Sequence, residues 1–128
     1  MLKYNNITKE IQLTRGDTAP LTISAKNKKE DYVFPDGCIV YFRITEAQKE
    51  GNVIIERVIN VDEPTKIINI ELTSEETKFG ELINEPKEYW YEVSVENNGE
   101  VQTIIGYDKL GAKVLMLYPE AKESMGSE

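Results

Sequence analysis

Apolar and polar residues alternate in short runs along this chain, and turn-forming residues separate one run from the next. In the run IQLT, Ile11 and Leu13 alternate with Gln12 and Thr14. A period of two places successive side chains on opposite faces of a β-strand, so the pattern predicts strands. Together with further β-rich and apolar runs, this gives about eight short strands, at residues 10–14, 21–26, 38–45, 52–61, 67–72, 88–95, 101–107 and 113–119. Short strands at this spacing favour a two-sheet sandwich, with a barrel as the alternative.

The segments between the runs indicate how the strands are connected. KNKKED (26–31) is expected to be a charged hairpin or loop, and FPDG (34–37) holds the proline, aspartate and glycine that turns favour. NNGE (97–100) contains the Asn-Gly pair of a tight hairpin. KLGAK (109–113) has one glycine between lysines, which predicts a further hairpin turn rather than a phosphate-binding loop.

One segment, TSEETKFGEL, breaks the alternation and predicts a short helical turn. Thr73 and Glu76 have the spacing of a capping box, and Gly80 can end a helix. We therefore expect one or two helical turns there. Together with the strands, this predicts a β-sandwich domain over residues 1–118. Residues 119–128 are small, polar and charged, so we expect them to form a flexible C-terminal tail.

The alternation also predicts which side chains point away from the core. In EYWYEVSV the two tyrosines fall on the same face as the valines, which leaves Trp90 on a face with glutamates and a serine. In CIVYFRIT the valine, phenylalanine and second isoleucine form the better core set, so Ile39, Tyr41 and Arg43 point outward. We predict a protein interface at Trp90, with Ile39, Tyr41 and Arg43 as a second candidate patch. Two alternatives for Trp90 are cover by a loop or the tail, and a sugar-stacking platform.

Charge and length narrow the choice of partners. The 128 residues suit one domain, and 23 acidic against 15 basic residues give a net charge of −8. Such a surface repels phosphate backbones and anionic membranes, so we expect neither nucleic acid nor a membrane as partner. No apolar run approaches the length of a spanning helix, and no secretory signal is visible, so synthesis in the cytoplasm is expected.

The residue inventory argues against most catalytic and metal chemistry. The chain has no histidine and one cysteine, Cys38, which removes histidine-based nucleophile systems, histidine-ligated zinc and thiolate clusters. Cys38 begins an apolar run and is expected to be a buried, inert thiol. The adjacent carboxylate pairs, Asp62-Glu63 and Glu75-Glu76, diverge on regular structure instead of facing each other. We therefore expect that this protein is not an enzyme and that it has no cofactor, no metal site and no small-molecule substrate.

The tripeptide Arg15-Gly16-Asp17 has two interpretations. In extracellular proteins the same tripeptide acts as a cell-adhesion signal when it lies at the tip of an exposed loop. Here strand-like segments flank them on both sides; Gly16 permits a positive φ, and Asp17 can bond its own backbone. We predict a structural bend at Gly16 and Asp17.

The same stretch begins a wider family resemblance. The order is I-x-L-T-R-G-D-T, P-L-T-I-S, a V-x-F-R-I strand, E-E-T-K-F-G, Y-W-Y-E-V and a returning strand after N-G. It resembles the N-terminal immunoglobulin-like domain of phage baseplate upper proteins and related small virion proteins of prophages. The likeness spans roughly residues 7–107. The matching pieces are Leu13 to Thr18, Val40 to Ile44, Glu76 to Gly80, Tyr89 to Val93 and Gly99 to Thr103.

The resemblance implies an immunoglobulin-like antiparallel β-sandwich of about seven to eight short strands with one short helical turn. It implies a non-enzymatic virion structural protein of the tail or baseplate type, with other virion proteins and copies of itself as partners. The protein would then be made in the bacterial cytoplasm and enter a phage or phage-like particle. The alternatives are a capsid decoration protein, a head-tail junction protein, or a carbohydrate-binding module that uses Trp90 and nearby tyrosines.

Overall fold

The computed structural model describes residues 2–5, 8–27, 30–46, 52–80, 83–106 and 113–120. Within these ranges the chain forms eleven β-strands and one 3-10 turn at Glu76–Lys78. The strands are β1 (Leu2–Tyr4), β2 (Ile11–Thr14), β3 (Ala19–Ile23), β4 (Lys26–Asn27), β5 (Glu30–Asp31), β6 (Ile39–Thr45), β7 (Val53–Asn60), β8 (Ile68–Leu72), β9 (Lys87–Asn97), β10 (Glu100–Ile105) and β11 (Lys113–Tyr118).

The strands form two sheets with a sandwich-like arrangement, and a small hairpin of β4 and β5. The large sheet has the order β1-β2-β11-β9-β6-β7, and β10 pairs with the remaining part of β9. The small sheet consists of β3 and β8. Each predicted run contains a strand within its described residues, and the predicted all-β sandwich is confirmed. The pattern did not predict β1, because three residues are too few to show a period.

One pairing differs from the expected antiparallel arrangement. β11 pairs with β2 in parallel, from Leu115 opposite Ile11 to Tyr118 opposite Thr14, whereas the other ladders are antiparallel. Alternation of side chains carries no information on the direction of a neighbouring strand. β11 joins the sheet between β2 and β9, which ties the C-terminal strand to the N-terminal half of the chain.

The inward faces of the two sheets share one hydrophobic core. Burial alternates strictly along β2, β3, β6 and β8, as the period of two predicted. Burying one such aliphatic or aromatic side chain contributes roughly 1.5–3 kcal/mol. The fully buried side chains with the largest volumes are Tyr89, Tyr91, Phe34, Phe42, Ile11, Leu13, Leu21, Ile23, Ile44, Leu72, Leu115 and Leu117.

Three predicted turns agree with the structure. Lys26 and Asn27 pair with Asp31 and Glu30, so KNKKED contains a hairpin, although residues 28 and 29 lie outside the described ranges. At FPDG, the Cys38 amide donates to the Pro35 carbonyl at 3.2 Å. In NNGE, both central residues have a positive φ, which is the type I′ geometry of tight hairpins. The turn predicted at KLGAK lies almost wholly outside the described residues.

The predicted capping box is present in the 3-10 turn. The Glu76 amide donates to Thr73 Oγ1 at 3.2 Å, and Glu76 Oε1 accepts the Thr73 amide at 2.9 Å. The same carboxylate pairs with the Arg57 guanidinium of β7. Both the Thr73 amide and Arg57 favour the ionised form, so the pKa of Glu76 lies below its usual value. The turn is thereby joined to the edge strand of the large sheet.

This arrangement predicts a pH-dependent effect for Glu76→Gln. Because the folded-state pKa is lowered, ionised Glu76 stabilises the fold above its ordinary pKa, and this contribution disappears as the pH falls through the folded value. We expect the variant to be less stable than the parent by up to about 1 kcal/mol near pH 7, and the difference to shrink near pH 3.

Urea unfolding of both proteins at the two pH values measures the difference. Glu75→Gln is the control, because its exposed side chain makes no ion pair among the described residues. A Glu76→Gln effect of the same size at both pH values would contradict the role of the charge.

Candidate interaction surface

The four residues predicted to form an interface lie on one face of the large sheet. Ile39, Tyr41 and Arg43 are on β6, and Trp90 is on the adjacent strand β9, opposite Thr45 of β6. Their strand neighbours point inward and are buried. The two patches suggested by the sequence are therefore parts of one surface. Contact of this surface with a partner remains a prediction.

We call this surface the outer face and define it by the outward positions of the three adjacent strands β6, β7 and β9. Along β6 and β9 its members alternate with buried core residues, and along β7 they alternate with half-buried side chains. The outer face consists of Ile39, Tyr41, Arg43, Thr45, Val53, Glu56, Val58, Asn60, Glu88, Trp90, Glu92, Ser94 and Glu96.

A chain of charge contacts fixes the side chains at the centre of the outer face. Arg43 Nε donates to Glu56 Oε2 at 2.6 Å, and Arg43 Nη1 lies 3.6 Å from Glu92 Oε1. The Arg43 guanidinium carbon lies 4.9 Å from the centroid of the Tyr41 ring. The Tyr41 hydroxyl donates to Glu96 Oε1 at 2.9 Å, and this hydrogen bond raises the pKa of Tyr41. These contacts link the Tyr41 ring and the Arg43 guanidinium to three carboxylates of the same face.

Exposed apolar side chains accompany these polar groups. Val58 is 51% exposed on the outer face, and Val101 of β10, in the row of Glu96 and Ile39, is 64% exposed. Trp90 is half-buried and lies opposite Val114 of β11. Ser94, expected on the exposed side, is only 2% exposed. It lies between Tyr41 of β6 and Thr103 of β10, and its hydroxyl lies 3.3 Å from Thr103 Oγ1. The outer face is thus apolar in patches and not uniformly solvated.

The outward side of the small sheet has a different character. Its outward residues are Pro20, Thr22, Asn69 and Glu71, all exposed. Thr22 Oγ1 donates to Asn69 Oδ1 at 2.9 Å across the two strands. No aromatic or large aliphatic side chain stands at these positions. Of the two sheet surfaces, only the outer face carries the kind of residue that anchors protein interfaces.

The predicted bend lies at the turn between β2 and β3. Gly16 has φ of +90°, and the Asp17 amide donates to the Thr14 carbonyl at 3.1 Å. The hydroxyl of Thr77, which is fully buried, accepts the Gly16 amide at 3.0 Å and donates to the Asp17 carbonyl at 2.8 Å. Ser74 Oγ donates to the Gly16 carbonyl at 2.6 Å. The bend is therefore bonded through its backbone to the 3-10 turn.

Arg15 of the same tripeptide is engaged inside the domain. Its side chain is 11% exposed; Nη1 lies 2.6 Å from Glu120 Oε1, and Nη2 donates to the Lys78 carbonyl at 3.0 Å. Sequence reasoning missed both Thr77 and Glu120 as partners of this bend, since they lie far away in the chain. Glu120, which we assigned to the flexible tail, contacts the domain here. Residues 121–128 lie outside the described ranges, so the mobility of that part stays a prediction.

We expect Gly16→Val to destabilise the domain by about 1–2 kcal/mol, because the left-handed φ disfavours any residue with a Cβ, and a β-branched one most. An added Cβ would lie 3.3 Å from Glu120 Oε2 and 3.4 Å from Lys78 Cε, which are ends of flexible side chains. The backbone should therefore dominate the loss. Thermal unfolding measures it, and an unchanged midpoint would contradict the structural role.

The adhesion interpretation has a separate test. Because Arg15 is bound by Glu120 and Lys78, the protein should not compete with an RGD peptide in an integrin-dependent adhesion assay. Dose-dependent competition would show that integrins recognise the tripeptide in this protein.

The remaining chemistry of the described residues is sparse. They include no group of three or more histidine, cysteine, aspartate or glutamate side chains placed to hold a metal ion. Cys38 is 1% exposed, and burial raises the pKa of its thiol, as expected for an inert core cysteine. Tyr89 and Tyr91 are buried, so they cannot join Trp90 in a sugar-stacking platform. Tyr41 lies on the same face as Trp90.

Two open grooves are among those that the described residues line. One, of about 460 Å³, is lined by Lys3, Tyr4, Asn5, Glu10 and Gln12. The other, of about 500 Å³, lies beside the β9–β10 hairpin and includes Tyr32 and Gln102 in its lining. Among the described residues that line them, neither groove has a nucleophile paired with a base.

In the described residues, no helix has the length and apolar character needed to cross a membrane. Comparison with protein-family models, with curated proteins and with solved structures finds no match to this chain.

Proposed function

We propose that this chain is a non-enzymatic structural protein of a phage or prophage particle, of the tail or baseplate type. It works by protein-protein contact, and it needs no cofactor. The family resemblance in segments such as Leu13 to Thr18 and Tyr89 to Val93 supports the class of particle. The observation that carries the proposal is the outer face, where Trp90, Ile39, Tyr41 and Arg43 share one face of two adjacent strands.

The position of these residues suits an assembly interface. β6 and β9 lie inside the large sheet and are hydrogen-bonded on both sides, so their outward side chains are held on a rigid base. A rigid aromatic anchor loses little conformational entropy when it is covered by a partner. The partners are other proteins of the particle and copies of this chain, which meet after synthesis in the bacterial cytoplasm. Capsid decoration and the head-tail junction are the alternative places in the particle.

We also assign the sandwich to the immunoglobulin-like type. The support for this finer assignment is the family resemblance, together with two packed sheets in about 120 residues and short turns such as NNGE.

Trp90→Ala tests the proposed function. The ring is half-buried and outward, so we expect the isolated variant to remain folded with a nearly unchanged thermal midpoint. Loss of an interface anchor weakens binding by about 2 kcal/mol or more, so the variant should enter particles poorly. Mass spectrometry of purified particles measures the amount incorporated.

Thr22→Ala on the small sheet is the matched control, since it also removes an outward side chain and should not affect incorporation. Normal incorporation of Trp90→Ala would contradict the proposal. If Trp90→Ala unfolds the isolated domain, Tyr41→Ala tests the same surface from the neighbouring strand.

A further inference from the structure

The charge on the outer face restricts the partner that it can accept. Its members include four carboxylates, on Glu56, Glu88, Glu92 and Glu96, and one cation, on Arg43. The net charge of this surface is therefore −3, from four negative groups and one positive group. We propose that the outer face binds a partner protein with an apolar pocket that accepts Trp90. Lysine or arginine residues surround this pocket on the partner's surface. This inference rests on the proposed function and specifies the partner of the same surface.

The single cation of the outer face, Arg43, already pairs with carboxylates of the same face. Arg43 is shared between Glu56 at 2.6 Å and Glu92 at 3.6 Å. Glu96 accepts a hydrogen bond from Tyr41, but no cation of the described chain pairs with Glu96 or with the exposed Glu88. A partner that covers Trp90 also removes water from these carboxylates. Such desolvation is costly unless cations take the place of the water.

The same charge disfavours the outer face of a second copy as the occupant. Two outer faces in contact would bring together eight carboxylates and two guanidinium groups, with a net charge of −6. Stacked sheets lie about 10 Å apart, which is close to the screening length of about 8 Å at physiological ionic strength. Repulsion between the two faces is therefore only partly screened. Copies of this chain that sit side by side in a particle would have to meet through other surfaces.

The test compares charge variants with Trp90 left intact. Glu88→Lys combined with Glu96→Lys should reduce incorporation into particles about tenfold, and the corresponding double glutamine variant should show a smaller loss in the same direction. Glu71→Lys, on the outward side of the small sheet, is the control for a change in total charge and should incorporate normally. Thermal unfolding of each isolated full-length variant checks that it is folded. If the double lysine variant does not fold, incorporation of the double glutamine variant is compared with that of the wild type instead.

The outcomes separate this inference from the proposed function. If Trp90→Ala is excluded from particles while both charge variants enter normally, the proposal of a basic partner is wrong. The proposal that the outer face is an interface is then retained. If all of these variants enter normally, the proposed function itself is wrong. Sedimentation velocity on the isolated wild-type chain should show a monomer; a dimer that Trp90→Ala dissociates would mean that the outer face binds a second copy, which would also overturn the inference.

Discussion

Gly80→Ala is expected to destabilise the domain by about 3 kcal/mol, from a strained backbone and a steric clash together. Gly80 has φ of +75°, and an added Cβ would overlap the hydroxyl oxygen of Tyr89. Tyr89 cannot move aside easily, because it is 2% exposed and its ring packs edge-on against Phe79 with centroids 4.9 Å apart. Equilibrium unfolding in urea measures the loss.

Two further variants separate the two causes. Tyr89→Phe removes the oxygen that meets the new methyl group, and this oxygen is buried with no hydrogen-bond partner among the described residues. In the Gly80→Ala background it should restore most of the stability lost to the clash. Gly99→Ala has a similar φ of +83° and nothing within 4 Å of the added Cβ, so it should cost only about 1–2 kcal/mol. Equal losses at the two glycines, or no effect of Tyr89→Phe in the double variant, would contradict this account.

Thr77→Val is expected to cost about 2 kcal/mol, because the change keeps the shape of the side chain and removes its hydroxyl. That hydroxyl satisfies the Gly16 amide and the Asp17 carbonyl at the bend, and the residue is fully buried. Thr77→Ser retains the hydroxyl and loses one methyl group, so its loss should be smaller. Thermal unfolding of both variants gives the comparison, and a smaller loss for valine than for serine would show that packing, not hydrogen bonding, makes Thr77 important.

The sequence predicted the faces of the strands well, because the side-chain period is a local property. Val40, Phe42 and Ile44 are fully buried, while Tyr41 and Arg43 between them are half-exposed. The outward position of Trp90 follows from the same alternation. The capping box of Thr73 and Glu76 and the Asn-Gly hairpin were also predictable, since each involves residues three positions apart or closer.

Contacts between distant parts of the chain were not predictable. Thr77 bonds to the Gly16 amide across 61 positions, and Glu120 bonds to Arg15 across 105. The parallel pairing of β11 with β2 and the adjacency of β6 and β9 depend on the order of strands in the sheet. Alternation alone cannot supply that order, so the sequence suggested two interface patches where the structure has one surface.

The central claim is that the outer face is an assembly surface, and hydroxyl-radical footprinting of purified particles tests it most directly. Trp90 is the only tryptophan of the chain, so its oxidised peptide can be assigned without ambiguity by mass spectrometry. We expect Trp90 and Tyr41 to be oxidised in the isolated protein and strongly protected in the particle, while Pro20 and Ile67, both exposed and away from the outer face, keep their reactivity. Equal oxidation of Trp90 and Tyr41 in the two states would contradict the claim.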